Sequence, residues 1–344
     1  MAEIAPILGI LPGLKASNNT GSPQHALISC VAPHPAGNAD AVYADGGLLL
    51  LSPPVPILIV TVLALLFIGW LIWQPRWVAQ RRERRQTEGF PPAWRAIIRR
   101  NVPLAASLSA DLQAQLRRHI QVFLSEKAFV GCQGQVIDDE VRVTVAAQAC
   151  LLLLNRQADY FPLLRQVLVY PSAFEVDITH TDEIGVVQSG RDWRAGESWQ
   201  EGQVILSWED VLTGAAEPHD GWNVVIHEFA HQLDSETGLT NGTPSLPNRH
   251  RLARWSTVMQ EAFDDLVAAV ARGEEDTFLD PYGASEPAEF FAVVTEAYFE
   301  QGAELRAQHP ALFGELHAFF QVDTSAWPPA RVLRRSIGAH QHET

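Results

Sequence analysis

Five consecutive residues, His227-Glu228-Phe229-Ala230-His231, bring two imidazoles and a carboxylate together at a spacing suited to metal chemistry. On a helix, residues four apart lie one above the other on the same face, so both histidines can reach a single ion. The glutamate projects about 100° round the helix axis, toward the place of a metal-bound water, where it can act as general base. The pattern is short, and two packed core histidines beside a surface glutamate share it. The flanks favour a helix. Asp220 suits an N-cap and Gly238 a stop, while Val225, Phe229 and Leu233 form a stripe to bury. These residues point to a metallohydrolase site.

A hydrolytic zinc takes three protein ligands and leaves a fourth position to water. Three acids compete for the third place. Asp234 follows His231 by three residues and would have to bend back toward the ion; it is better placed as a hydrogen-bond partner or helix-end acid. Glu289 and Glu296, within Ser285–Phe299, are seven apart, so on a helix both face the same way. Packing that helix across the first would deliver one carboxylate to the metal. The other could then orient a histidine through its free ring nitrogen. A solvent-facing pair on an amphipathic helix has the same spacing.

Several elements must position these groups. Leu108, Leu112, Leu116, Ile120, Phe123 and Leu124 recur at helical spacing, capped by Ser107 or Ser109. A second helix is expected over Arg142–Asn155. Gln166–Tyr170 reads as a buried strand ended by Pro171, with Ala173–Ile178 extending it. Asp182–Gly202 is polar and contains glycine, which suits turns and a loop. Gln203–Trp208 is expected as an edge strand of a small sheet above the metal, where a peptide could add itself as a further strand. Leu239–Asn248 is rich in Gly, Pro and Asn and precedes a helix through about Ala271; the last helix runs from about Ser285 to Glu300. The fold class is α+β, with helices packed on a small mixed sheet over residues 104–330 and a tail at 331–344.

The chain has 344 residues, room for one large or two ordinary domains. Its net charge of −15 argues against nucleic acid as a direct partner. Cys30, Cys132 and Cys150 are far apart and lack metal-ligand spacing, and Cys150 sits in an apolar run as a small buried residue. Val55–Trp73 carries no charge and is rich in Leu, Ile and Val, about long enough to cross a bilayer. Trp70 and Trp73 fall at its end, followed by Arg76, Arg81, Arg82, Arg84 and Arg85 against Glu83 alone. We expect a transmembrane helix over residues 55–75 and a basic linker over 76–103. The positive-inside rule then places the C-terminal domain in the cytoplasm. A buried core helix is the competing reading. Residues 1–54 are weakly charged and show no sustained period, so a weakly ordered segment is expected there.

From about Leu108 to Phe320 the chain resembles the Mlc titration factor A family of zinc-dependent peptidases, members of the zincin class. The matching pieces are Val167–Ser172, Gly196–Trp199, Val204–Trp208, Ile226–Asp234 and Tyr282–Val293. The resemblance implies one zinc per chain on His227, His231 and Glu289, with Glu228 as catalytic base and Tyr282 as a catalytic tyrosine. It implies hydrolysis of a peptide or protein substrate, with aminopeptidase action among the modes. It also implies a reading of another class: a membrane-tethered binding protein that sequesters a transcriptional repressor, its zinc structural. The sequence departs from the family at Ile184–Gly190, which lacks a histidine that some members carry as a metal contact. The apolar segment is a second departure.

Overall fold

The computed structural model describes residues 55–156, 159–172, 174–181, 187–194, 202–274 and 276–332. The expectations for residues 1–54 and 333–344, for Gly196–Trp199 and for residues 184–186 lie outside them.

Helix α1 (Val55–Thr87) runs through the apolar segment and on into the arginines as one element. Its apolar residues from Ile57 to Leu71 are exposed, and it is long and apolar enough to cross a membrane. Further along, Arg82 lays its guanidinium on both carboxylate oxygens of Glu126, at 2.7 and 3.0 Å, and on Asp159 at 2.7 Å. The chain breaks near Gly89 and Pro91, and α2 (Pro92–Asn101) starts with proline in its first turn and buries Ile97 and Ile98.

Helix α3 (Ala110–Glu126) begins at Ser109, whose hydroxyl accepts the Leu112 N–H, and buries Leu116, Ile120, Phe123 and Leu124. It stops at Lys127, whose ammonium donates to the carbonyls of Phe161 and Leu164 at 2.7 and 2.8 Å. The second helix, α4 (Asp139–Ala149), starts three residues earlier than expected because Asp138 caps the Val141 N–H, and it gives way to a 3-10 turn at Cys150–Leu153. Every α4 residue from Val143 to Ala149 is buried, so this part of the helix is packed on all sides.

The sheet corrects the expectation of mixed strands. β1 (Ala128–Gly131), β2 (Gln166–Tyr170) and β5 (Gln203–Ser207) are all parallel, in the order β1-β2-β5. A parallel pair needs a long crossover, and α4 lies in the one between β1 and β2. Val167, Val169, Val204 and Leu206 are fully buried, and β5 is an edge strand as expected. Phe174–Thr181 (β3) does not extend β2. It pairs antiparallel with Val187–Arg194 (β4), the stretch expected as loop, in a separate two-stranded sheet. Trp208 opens α5 (Trp208–Ala216) rather than closing β5.

The remaining helices are α6 (Val224–Asp234), α7 (Arg249–Ala271), α8 (Pro287–Glu300), α9 (Gly302–Gln308) and α10 (Pro310–Phe320). Every residue of α8 from Ala288 to Glu300 is buried. Its Phe291 meets Trp255 of α7, which also meets Phe319 of α10. On α6, Phe229 packs between Phe123 and Phe161 with centroid distances of 5.7 and 4.9 Å. That aromatic cluster fixes the histidine-bearing helix to α3, and burying such a side chain stabilises the fold by roughly 1.5–3 kcal/mol.

Candidate metal centre

The N-cap of α6 is Asn223, not Asp220: its side-chain oxygen accepts the Ile226 N–H at 3.1 Å. Asp220 instead accepts the Trp222 N–H in the preceding turn. The helix ends at Asp234, and a 3-10 turn carries the chain to Gly238, which takes the left-handed conformation (φ +85°) that ends it there. Val225, Phe229 and Leu233 form the buried stripe. The opposite edge presents His227 and His231 one turn apart, their rings 4.9 Å apart.

Helix α8 packs across α6 and delivers two of its three glutamates, Glu289 and Glu296, to one imidazole. Glu289 Oε2 lies 2.9 Å from His227 Nε2 and 3.5 Å from His231 Nε2, while the two Nε2 atoms are 3.3 Å apart. Glu296 Oε1 meets the other nitrogen of His227, Nδ1, at 2.7 Å. A carboxylate at Nδ1 holds the ring proton there and turns Nε2 toward Glu289 and His231. Asp234 takes the Gly242 N–H at 2.7 Å and so anchors the following loop.

Among the described residues, His227, His231 and Glu289 form a group whose ligand atoms all lie within 4.8 Å of one another, and such a group could hold a metal ion. Two imidazoles and one carboxylate are a donor set that suits zinc. Bonds of about 2.0–2.2 Å in a tetrahedral arrangement would put ligand atoms about 3.3 Å apart. The observed separations of 2.9, 3.3 and 3.5 Å bracket that spacing. The residues fit the ion.

Electrostatics agree with the geometry. Burial opposes charge on His227, but Glu296 and Glu289 outweigh it and hold the imidazolium well above its usual range. Burial also acts on Glu289, yet its contacts with the two histidines bring its carboxyl well below the usual carboxylate range. Burial lowers His231 and raises Glu296. The site thus favours positive charge between its carboxylates, which a divalent cation supplies. Glu228 is only 4% exposed and adds its own charge beside His227. Tyr282 sits in a 3-10 turn (Pro281–Ala284) that the Asp280 carboxylate caps. The residue is 55% exposed, and its ring is 6.1 Å from that of His227.

The chain matches the family described as glucose-regulated metallo-peptidase M90 over residues 76–321. It belongs to this family. An uncharacterized protein of Synechocystis sp. is 39% identical over 269 residues, 78% of this chain and 98% of that protein. Mlc titration factor A of Enterobacter sp. is 34% identical over 69% of this chain and 87% of its own length. The protein of the same name from Salmonella agona is 33% identical over 73% and 92%. The M90 match begins at Arg76, so it takes in the arginine-bearing end of α1.

Three residues of the site region escaped sequence reasoning: Asn223, Gln148 and Glu300. The Asn223 amide donates to Gln148 at 2.9 Å and to Glu300 at 3.0 Å, and its backbone N–H donates to Glu296 at 2.5 Å. Asn223 had a readable signal as a good cap four residues before His227. The other two look like ordinary polar residues within apolar helices.

Proposed function

We propose that this M90 member is a zinc peptidase in which His227, His231 and Glu289 hold the ion, Glu228 is the general base and Tyr282 serves the oxyanion. The reading rests on the convergence of those three ligand atoms between α6 and α8. When bound, zinc would lower the pKa of a water toward 7 and polarise the scissile carbonyl. Glu228 takes the water's proton and returns it to the leaving amine. Tyr282, on an exposed turn beside His227, donates a hydrogen bond to the developing oxyanion. Glu296 keeps His227 in register. Among the described strands β5 pairs only with β2, and its other edge is where an extended peptide can lie. Cleavage from a free N-terminus is the narrower mode, and comparing free with N-acetylated peptides tests it. In the same reading α1 is a single-pass anchor and the domain faces the cytoplasm.

The name borne by two of the relatives, Mlc titration factor A, favours a second reading, in which the chain sequesters a transcriptional repressor and the metal is structural. One substitution separates the two. We expect the purified full chain to carry about one zinc and to cleave members of a peptide library, consistent with a three-ligand site. Glu228→Gln should keep the zinc and abolish cleavage. Zinc-free wild-type protein that never cleaves would end the first reading. A cellular effect that survives Glu228→Gln would favour the second.

A further inference from the structure

We infer that Asn223 is a positioning residue for the metal centre, clamping the carboxylate that orients His227. The inference rests on the metal site proposed above. Asn223 is 2% exposed and uses its backbone and side chain in five hydrogen bonds. Its backbone N–H donates to Glu296 Oε2 at 2.5 Å, and the other oxygen of that carboxylate holds His227 Nδ1 at 2.7 Å. Its carbonyl accepts the His227 N–H at 2.9 Å. The side-chain oxygen caps the Ile226 N–H at 3.1 Å. The amide nitrogen spends its two hydrogens on Gln148 Oε1 of α4 and Glu300 Oε1 of α8.

Capping alone does not require asparagine, because aspartate or serine accepts the same N–H. What asparagine adds is a pair of donors, aimed at two different helices. Those donors tie residue 223 to α4 and α8 through its side chain. A third helix crowds the same backbone: a Cβ on Gly214 of α5 would come within 3.1 Å of the Asn223 Cα and the Trp222 carbonyl. The donor that holds Glu296 is thereby fixed from α4, α5 and α8 at once. Any slack there passes through Glu296 to the ring of His227, where small misorientation weakens a metal ligand.

The test uses the full chain carrying Asn223→Ser, Asn223→Asp, Glu300→Ala or Glu300→Gln. Zinc affinity is read by chelator competition, coordination by the visible spectrum of the cobalt-loaded protein, and folding by thermal melts in chelator. The two Asn223 variants keep a cap and are expected to fold, to bind zinc about 10-fold or more weakly and to shift the cobalt bands. Glu300→Ala should weaken zinc in the same way. Glu300→Gln, whose amide oxygen still accepts from Asn223, should bind as wild type. Wild-type affinity with an unchanged cobalt spectrum in Asn223→Ser overturns the inference. If the Asn223 variants do not fold, wild-type affinity in Glu300→Ala overturns it instead. A wild-type chain that binds neither metal removes the underlying site, and the inference with it, whereas failure confined to the variants sinks this inference alone.

Discussion

Glu289 and Glu296 are chemically identical and lie two turns apart on α8, yet they meet opposite nitrogens of one imidazole. Their seven-residue spacing puts both on one face of a helix but leaves open whether that face meets α6 and which acid approaches the histidine pair. That choice depends on where α8 crosses α6, which is a property of the packed structure. Asn223 gives a similar lesson, since two good capping residues precede the helix and the tertiary partners of Asn223 decide between them. Tyr282 is the residue whose role is most open to a direct test. Its exposed ring sits on a turn held by Asp280, so removing only its hydroxyl should leave the fold intact. Tyr282→Phe is expected to lower kcat toward peptides by about 100-fold or more, as loss of an oxyanion donor does, with little change in KM. Unchanged kcat would remove Tyr282 from the mechanism.

Among the elements, α6 carries the two histidines and Phe229 holds it in place. Phe229→Ala should cost about 3–5 kcal/mol in urea unfolding, because Phe123 and Phe161 cannot both close over the gap. A cost below about 1 kcal/mol would mean that α6 is held mainly from the α8 side. Helix α3 was readable because its apolar residues recur at helical spacing, and the start of α7 because a Gly/Pro/Asn-rich loop precedes it. The hairpin was not. Val187–Arg194 mixes Gln, Ser, Gly, Arg and Asp with no alternation, and only pairing with β3 makes it a strand. Strand direction was equally hidden, since a period of two is the same in parallel and antiparallel sheets. The end of β5 was misplaced by one residue because Ser207, a strand residue by its neighbours, caps α5.

For the molecule as a whole, acid stability and membrane attachment can both be tested. His119 lies against the Tyr160 hydroxyl at 2.9 Å. Burial, with a smaller contribution from Arg118, brings its pKa down to about 4. The folded state therefore prefers neutral His119. Its stability is fully present above about pH 6.5, the unfolded value, and is lost as pH falls toward 4, by up to about 3 kcal/mol. His119→Gln stays neutral in both states, so its stability should fall less than that of wild type over this window in denaturant titrations. Parallel losses would rule His119 out as a cause. For attachment, the full chain should fractionate with membranes and resist an alkaline wash, and a C-terminal reporter should read as cytoplasmic. Placing arginine at both Leu63 and Leu66 should release it, since each costs about 2.5–3.5 kcal/mol at a helix centre. Wild-type protein in the soluble fraction would refute the anchor.

The two-pronged grip of Arg82 on Glu126 and Asp159 bears on how a movement of α1 would travel. A helix riveted to the body of the protein at that point is no leash. Whatever displaces α1 at Arg82 must carry α3 and the turn bearing Asp159 along with it.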